Sequence, residues 1–236
     1  MTDAASNTRP QRFFVTGTDT DAGKTYCSSA ILRGLQLLGY HCSALKPLAS
    51  GVDHDGNNAD AKALAAVTGQ SLSAVNPLCF SLPTAPHLAA LAQGQTLSLH
   101  QLDTLLPQHN SQFELIEGAG GWLLPLNATE YLADWVVRHQ WPVALVVGVK
   151  LGCLNHSLLT VRELRRAGVP ILGYIANILT PDMHYLAETL ADLSNRLQLR
   201  QLATLPFSPD GADDALCLQL AVALKQQLAA SNHSDQ

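Results

Sequence analysis

Lys24 and Thr25 close the stretch Gly17 to Thr25, GTDTDAGKT, whose residue types suit the binding of a polyphosphate. Where a glycine-rich turn runs into a helix, backbone N–H groups point at an anion and the helix dipole adds positive charge. The lysine then reaches the β- and γ-phosphates of a nucleotide, and the threonine hydroxyl is placed to join Mg²⁺. Five residues separate Gly17 from Gly23, one more than the usual phosphate loop carries. Glu117 ends the apolar run FELIE and is followed by Gly118, Ala119 and Gly120. Because Mg²⁺ takes oxygen ligands from one or two carboxylates, phosphates and water, Glu117 is the best acidic ligand and Asp60 the second. Asp60 opens a helix, so a plain interaction with the helix dipole is its alternative. Lys46 stands before Pro47 at a strand end. A surface lysine is the ordinary outcome there, but a strand lying directly beside that of the phosphate loop would carry it into the rim. Two lysines facing one polyanion suit phosphoryl transfer, in which positioning and charge stabilisation do most of the work. Asp19 and Asp21 are too many acids for all to touch phosphate, so one or both face solvent or orient the loop.

The elements that must position these groups follow from the pattern. RFFVT (Arg12 to Thr16) reads as a buried strand of β-formers. Cys27, Ala30, Ile31, Leu35 and Leu38 then recur as on a helix that closes at Gly39. HCSAL reads as a second strand, and Leu48 to Asn58 as a polar, glycine-rich loop. A helix from about Ala59 closes at Gly69, and NPLCF reads as an edge strand because Pro77 lacks a ladder donor. Helices are expected over Pro86 to Gln93 and Leu99 to Leu106, then the strand FELIE. A helix around Glu130 to His139, the strand VALVVG, a helix closing at Gly168 and the strand ILGYIAN follow. A helix at Met183 to Arg196, a strand near Leu202 to Leu205 and a helix from Asp213 complete the pattern. Strands alternating with helices imply an α/β fold, a mostly parallel sheet with helices on both faces. Ligands then sit beyond the carboxyl ends of the strands. That rule gathers the glycine loop, Lys46, Glu117, Val149 to Asn155 and Asn177 to one rim. The start of the helix after Val149, Gly152-Cys153-Leu154-Asn155, has free N–H groups suited to a carboxylate. A plain helix start capped by Asn155 is the alternative.

The 236 residues suit one domain, set at 12–229, with tails at 1–11 and 230–236 expected to be disordered. Fourteen Lys and Arg against 19 Asp and Glu give a formal charge of −5 with no basic stripe, which argues against nucleic-acid binding by phosphate neutralisation. No apolar run reaches the length of a membrane span, and the N-terminus lacks a signal-peptide core. Five cysteines without CxxC spacing read as reduced thiols of a cytoplasmic protein. Nine histidines offer no HxH or HExxH, so zinc is not expected. His87 and His156 read as structural, and Trp122, Trp135 and Trp141 as core or interface.

In order, FVTGTDTDAGKT, ALKPLASG, NADAKAL, ELIEGAGGWLLPL, VVGVKLGCLNHSLLT and IANILTP resemble the motifs of the dethiobiotin synthetase family, over about Phe13 to Leu224. The family's stretched phosphate loop accounts for the extra residue before Gly23. The resemblance implies a homodimeric, single-domain P-loop fold that condenses 7,8-diaminopelargonate with CO₂ and ATP, giving dethiobiotin, ADP and phosphate. It implies that Thr25, Asp60 and Glu117 hold Mg²⁺, and that Lys24 and Lys46 stabilise the phosphates and a carbamate. ATP would meet Asp21, Ala22, Gly23 and Tyr26 of the loop, Gly118 to Gly120, Asn177 at the adenine edge, and Pro206, Phe207, Ser208 and Asp213. Thr20 and Ser50 would lie beside the diamine. Gly152, Cys153, Leu154 and Asn155 would take its carboxylate across the dimer interface. A tyrosine the family carries in the helix after Pro181 is not matched in place, Tyr185 being shifted. The rival is a dimerising ATPase switch of the partitioning or metal-insertion type, whose loop KGGxGKT carries a lysine where this chain has Asp19. Glutamine-dependent amidating synthetases carry an additional domain for which this chain has no room.

Overall fold

The computed structural model describes residues 10–107, 111–209 and 211–233, with side chains to residue 231. The chain opens with β1 (Gln11–Gly17), whose Phe13 and Val15 point to one face of the sheet and Phe14 to the other. After a turn comes α1 (Lys24–Leu37), which ends where Gly39 takes a φ of 85°. It is followed by β2 (Cys42–Leu45) and β3 (Leu48–Ser50). Next is α2 (Ala59–Thr68), started by the Asn58 side chain accepting from the Ala61 N–H and stopped by left-handed Gly69. The short α3 (Leu72–Val75) leads to β4 (Leu78–Phe80), α4 (Pro86–Ala92) and α5 (Leu99–Thr104). The second half runs β5 (Phe113–Glu117), α6 (Leu132–His139), β6 (Val143–Val149) and α7 (Cys153–Ala167). It closes with β7 (Ile171–Ile178), α8 (Leu186–Leu197), β8 (Gln201–Leu205) and α9 (Asp214–His233).

Six strands form a parallel sheet in the order β2-β5-β1-β6-β7-β8, and β3 pairs with β4 in a small sheet beside it. Two expectations are corrected here. The polar loop from Leu48 is strand for its first three residues, because Leu48 and Ala49 are buried against β4. Lys46 does not follow a strand adjacent to β1, since β5 lies between them. The tails also differ from the boundaries expected. Gln11 already belongs to β1, residues 1–9 lie outside the described residues, and α9 runs to His233. Ala229 and Ala230 favour helix, and the Ser231 hydroxyl bonds back to the Leu228 carbonyl.

Strand residues alternate between two cores. Phe13, Val15, Leu115 and Val146 pack with α1, α2 and α9, while Phe14, Ile116, Leu145 and Val147 pack with α5 to α8. Each fully buried side chain of this size contributes about 1.5–3 kcal/mol, so the layers hold the strand ends in place without help from the loops. Against α1, α9 comes so near that a Cβ on Gly34 would lie 2.0 Å from the Cys217 carbonyl oxygen. Among the described residues, no helix is long and apolar enough to cross a membrane.

Candidate active site

The turn between β1 and α1 is shaped by what lies under it. Gly23 takes a φ of 84°, and a Cβ there would fall 2.0 Å from the Asn177 amide nitrogen. Asn177, buried at the end of β7, donates that N–H to the Ala22 carbonyl at 2.9 Å. Only glycine meets both demands. Asp21, exposed in the turn, also has a positive φ of 58°. Lys24 Nζ crosses the mouth of the loop and donates to the carbonyls of Gly120 at 2.6 Å and Asp19 at 3.1 Å.

At the head of α1 four side chains converge. Thr25 Oγ1 donates to Glu117 Oε1 at 2.7 Å, and Lys46 Nζ donates to the same oxygen at 2.8 Å. Lys46 Nζ also pairs with Asp60 Oδ2 at 3.0 Å. Glu117 is fully buried, Lys46 is 3 % exposed and Asp60 48 %. Glu117 Oε2 is buried and has no partner among the described residues. Lys46 reaches this place across the end of β5, guided by its backbone. Its N–H donates to the Val75 carbonyl, and Asn76 donates its side-chain amide to the Lys46 carbonyl, each at 2.7 Å. Burial opposes the charge on Lys46, but Glu117 and Asp60 outweigh it and raise its pKa. Burial pushes the Asp60 carboxyl up, and Lys46 and the Thr25 hydroxyl outweigh that and hold it low. Lys24 is pushed down by burial and by the neighbouring Lys46 ammonium, against the pull of Glu117, Asp60 and Asp21.

These groups open on a cavity of about 490 Å³. Its walls join the polar residues Thr20, Lys24 and Ser50 to an apolar side made by Ala85, Pro86 and Leu124. Ser50 Oγ donates to the Thr84 carbonyl. Of the residues singled out from the sequence, Thr20, Asp21, Gly23, Lys24, Thr25, Lys46, Ser50, Asp60, Ala119 and Gly120 line this cavity, with Glu117 bonded to two of them. Gly118 packs beside Phe14 of β1, where a Cβ would come within 2.8 Å of the ring.

The remaining candidates lie outside the cavity lining. Tyr26 leans on the core between α1 and α9, its hydroxyl buried without a partner among the described residues. Pro206 and Phe207 are exposed, Ser208 Oγ donates to the Gly211 carbonyl, and Asp213 Oδ1 accepts from the Leu216 N–H at the start of α9. Gly152, with φ 91°, caps α7 with no side-chain hydrogen bond, so Asn155 is not the cap. Cys153 is buried and Asn155 exposed. Tyr185, exposed and at φ 56°, precedes α8.

Sequence reasoning missed Asn76 and Lys150. Lys150 Nζ lies 3.1 Å from Asp19 Oδ2, and its sequence signal was a lysine at the end of the most apolar strand. The histidines hold one surprise: Asp53, His54 and Asp55 come close enough together to share an ion on a largely exposed loop. Lys62 already pairs with both acids, so the cluster is a charge network. His87 Nδ1 is buried without a partner among the described residues, and His156 Nδ1 lies 3.9 Å from Asp19.

A family model described as an AAA domain matches residues 11–214. The ATP-dependent dethiobiotin synthetase BioD of Yersinia pestis bv. Antiqua (strain Angola) is 43% identical over 207 residues, 85% of this chain and 86% of that protein. The ATP-dependent dethiobiotin synthetase BioD 1 of Salmonella typhi is 42% identical over 221 residues, 89% of this chain and 97% of that protein. Among solved structures, a ParA family ATPase from Chlorobium tepidum TLS aligns with a TM-score of 0.54 at 16% identity, over 94% of this chain and 96% of that one. The cell division ATPase MinD of Pyrococcus furiosus aligns with a TM-score of 0.54 at 17% identity, over 92% of this chain and 99% of that one. At such identities these structural likenesses speak for the fold alone.

Proposed function

The chain belongs to the dethiobiotin synthetase family of ATP-dependent ligases, and from that membership we propose that it condenses 7,8-diaminopelargonate with CO₂, releasing dethiobiotin, ADP and phosphate. The convergence of Thr25, Lys46, Asp60 and Glu117 beside the Lys24 loop carries this reading. Thr25, Asp60 and Glu117 present hard oxygens, and the buried, unpartnered Oε2 of Glu117 fits a cation, so these three would hold Mg²⁺. Bound there, the ion would neutralise phosphate charge and polarise the transferring group. The Thr25 hydroxyl, bonded to Glu117, is assigned to the metal, and in this reading the substrate's own amines do the covalent work.

In this reading one amine takes up CO₂ as a carbamate, whose oxygen displaces ADP at the γ-phosphorus. The second amine then displaces phosphate at the carbonyl carbon and closes the cyclic urea. Lys24 turns from the Asp19 and Gly120 carbonyls to the phosphates, and Lys46 balances charge on the carbamate and the transferring phosphoryl group. Both contributions are electrostatic and preorganised. The closing amine is tethered to its target, so the residues beside it, Thr20 and Ser50, need only hold the chain in line. Alanine, proline and leucine on the cavity's other wall suit its methylenes.

ATP's phosphates would lie along Asp21 to Tyr26 and Gly118 to Gly120. Its base would lie over Asn177 and Pro206 to Ser208, at the carboxyl ends of β7 and β8, and Asp213, at the start of α9. The substrate carboxylate would meet the head of α7, Gly152 to Asn155, from a second subunit; because the Cys153 N–H already donates to the Lys150 carbonyl at 3.0 Å, the anion would be met by its neighbours' N–H groups. Support for a homodimer is the exposed apolar side chain beside that helix start, Leu151, at 98 %. Five free thiols suit the reducing cytoplasm.

Phosphate release with and without the diamine and bicarbonate tests the proposal. Turnover is expected only with both present, and Glu117→Gln or Asp60→Asn should lower it far more than it lowers folding. Hydrolysis of ATP indifferent to the diamine would instead favour an ATPase switch.

A further inference from the structure

Lys150 has no part in the reading above, although it reaches the phosphate loop from another element. It follows β6, and its ammonium lies 3.1 Å from Asp19 Oδ2. His156 of α7 adds its ring nitrogen at 3.9 Å from the Asp19 carboxylate. At its other end the Asp19 carbonyl accepts from Lys24 Nζ. One residue thus links the loop's own lysine to a lysine from across the site. The back of the loop is seated on the same strand end. The Thr18 N–H donates to the Val146 carbonyl at 2.9 Å, and Thr18 Oγ1 accepts from the Gly148 N–H at 3.4 Å. Gly148 has no room for a Cβ, which would meet Ala22 Cα at 2.9 Å.

We propose that Lys150 is a positioning residue for nucleotide binding: by holding the Asp19 side chain it fixes the first turn of the phosphate loop and the carbonyl that parks Lys24. Lys150 and Asp19 are each partly exposed, so the pair is screened by salt, and its effect is of surface size. It acts on the loop's geometry before the anion arrives. Five residues lie between β1 and Gly23, and past Thr18, which is seated on β6, no helix or ladder bond holds the described loop; the pair replaces that missing restraint. Lys150 also immediately precedes Leu151 and Gly152, so a displacement of the head of α7 is transmitted to the loop.

The inference rests on the nucleotide half of the proposed function only. It is tested by calorimetric titration of the intact protein with Mg²⁺-ADP, without diamine. Lys150→Met and Asp19→Asn are each expected to weaken ADP about three- to fivefold, the effect of an exposed ion pair. The double variant should be no weaker than either single one, and Lys150→Arg should stay within about twofold of the parent protein. At 1 M NaCl the ratio between parent and Lys150→Met should approach one. Unchanged ADP affinity in Lys150→Met, effects that multiply in the double variant, or a deficit that persists in high salt would each overturn it. If the parent protein binds ADP but performs no diamine chemistry, the proposed reaction fails while this inference stands or falls on the same titrations.

Discussion

Lys46 Nζ stands between Glu117 and Asp60, so its ammonium and a divalent cation are rivals for the charge of the same two carboxylates. Lys46→Met keeps the apolar stem and removes the rival. A hydrogen bond to an ionised partner contributes about 1.5–3 kcal/mol. The Asp60 arm is half exposed, and solvent screening cuts it to about 1 kcal/mol or less. The Glu117 arm is buried and keeps most of its value, so the lysine costs an incoming metal about 2 kcal/mol, roughly thirtyfold in affinity. Lys46→Met is therefore expected to bind Mn²⁺ about ten- to a hundredfold more tightly than the parent without nucleotide, read from the paramagnetic signal of free Mn²⁺. The same variant leaves the Glu117 charge buried without its cation, a loss of about 3 kcal/mol at the low end for such pairs. For a chain of this size that lowers the melting temperature by roughly 6–12 °C, and saturating Mn²⁺ should recover most of it. Turnover should fall about tenfold to a few hundredfold whatever the metal concentration. Equal Mn²⁺ affinity in the two proteins, or a melting deficit that Mn²⁺ leaves untouched, would refute the rivalry. Glu117→Gln in the same background separates the causes, because tight binding that survives it places the ion elsewhere.

Gly152→Pro should raise the Michaelis constant for the diamine and barely change that for ATP. Mixed in equal amounts with Lys46→Gln subunits, it should recover about a quarter of the parent sites, since half the dimers then hold one intact shared site; mixed dimers without recovery would exclude a site spanning two subunits. Gly34→Ala places a methyl group against the backbone of α9, with 2.0 Å to the Cys217 oxygen, and is expected to cost about 1–3 kcal/mol, a melting shift of roughly 2–12 °C seen by calorimetry. Asp53 accepts hydrogen bonds from Lys62 and from the Asn57 and Asp55 N–H groups, which lower its carboxyl to about 2. Because its folded value lies below the unfolded one, its support for the loop is complete above the unfolded value of about 3.9 and fades as the pH falls towards 2. Its carboxyl carbon resonance should report that midpoint, and Lys62→Met should raise it.

The phosphate loop was legible because three signals coincide within one short stretch: β-formers, a glycine turn and a helical apolar stripe. Glu117 was legible for the same reason, an acid ending a fully apolar strand before glycines. The position of Lys46 was right for an incorrect reason. Periodicity identifies a strand but not its neighbours, and the insertion of β5 between β2 and β1 depends on packing between residues far apart in the chain. Asn76 was invisible because its task is to hold a backbone carbonyl thirty positions away. The strand Leu48–Ser50 is too short to show alternation. The end of α9 was hidden by a polar composition that resembles a tail, although Ala229 and Ala230 carry the helix on.

Each flank of β1 is supplied late. Phe13 pairs with Leu115 on one side and Val15 with Ala144 on the other. On the ribosome, the strand that leads into the phosphate loop is made before either of its neighbours, and its ladder waits for about a hundred further residues. The carboxylate that steadies Thr25 and the carbonyl that holds Lys24 arrive with the same delay, at Glu117 and Gly120. A nascent chain that stalls before Val149 has emerged carries Phe13, Phe14 and Val15 as an unpaired apolar edge, open to chaperones or to another stalled chain. The nucleotide site is thus assembled by pairings of long range, which close later than the helices around it.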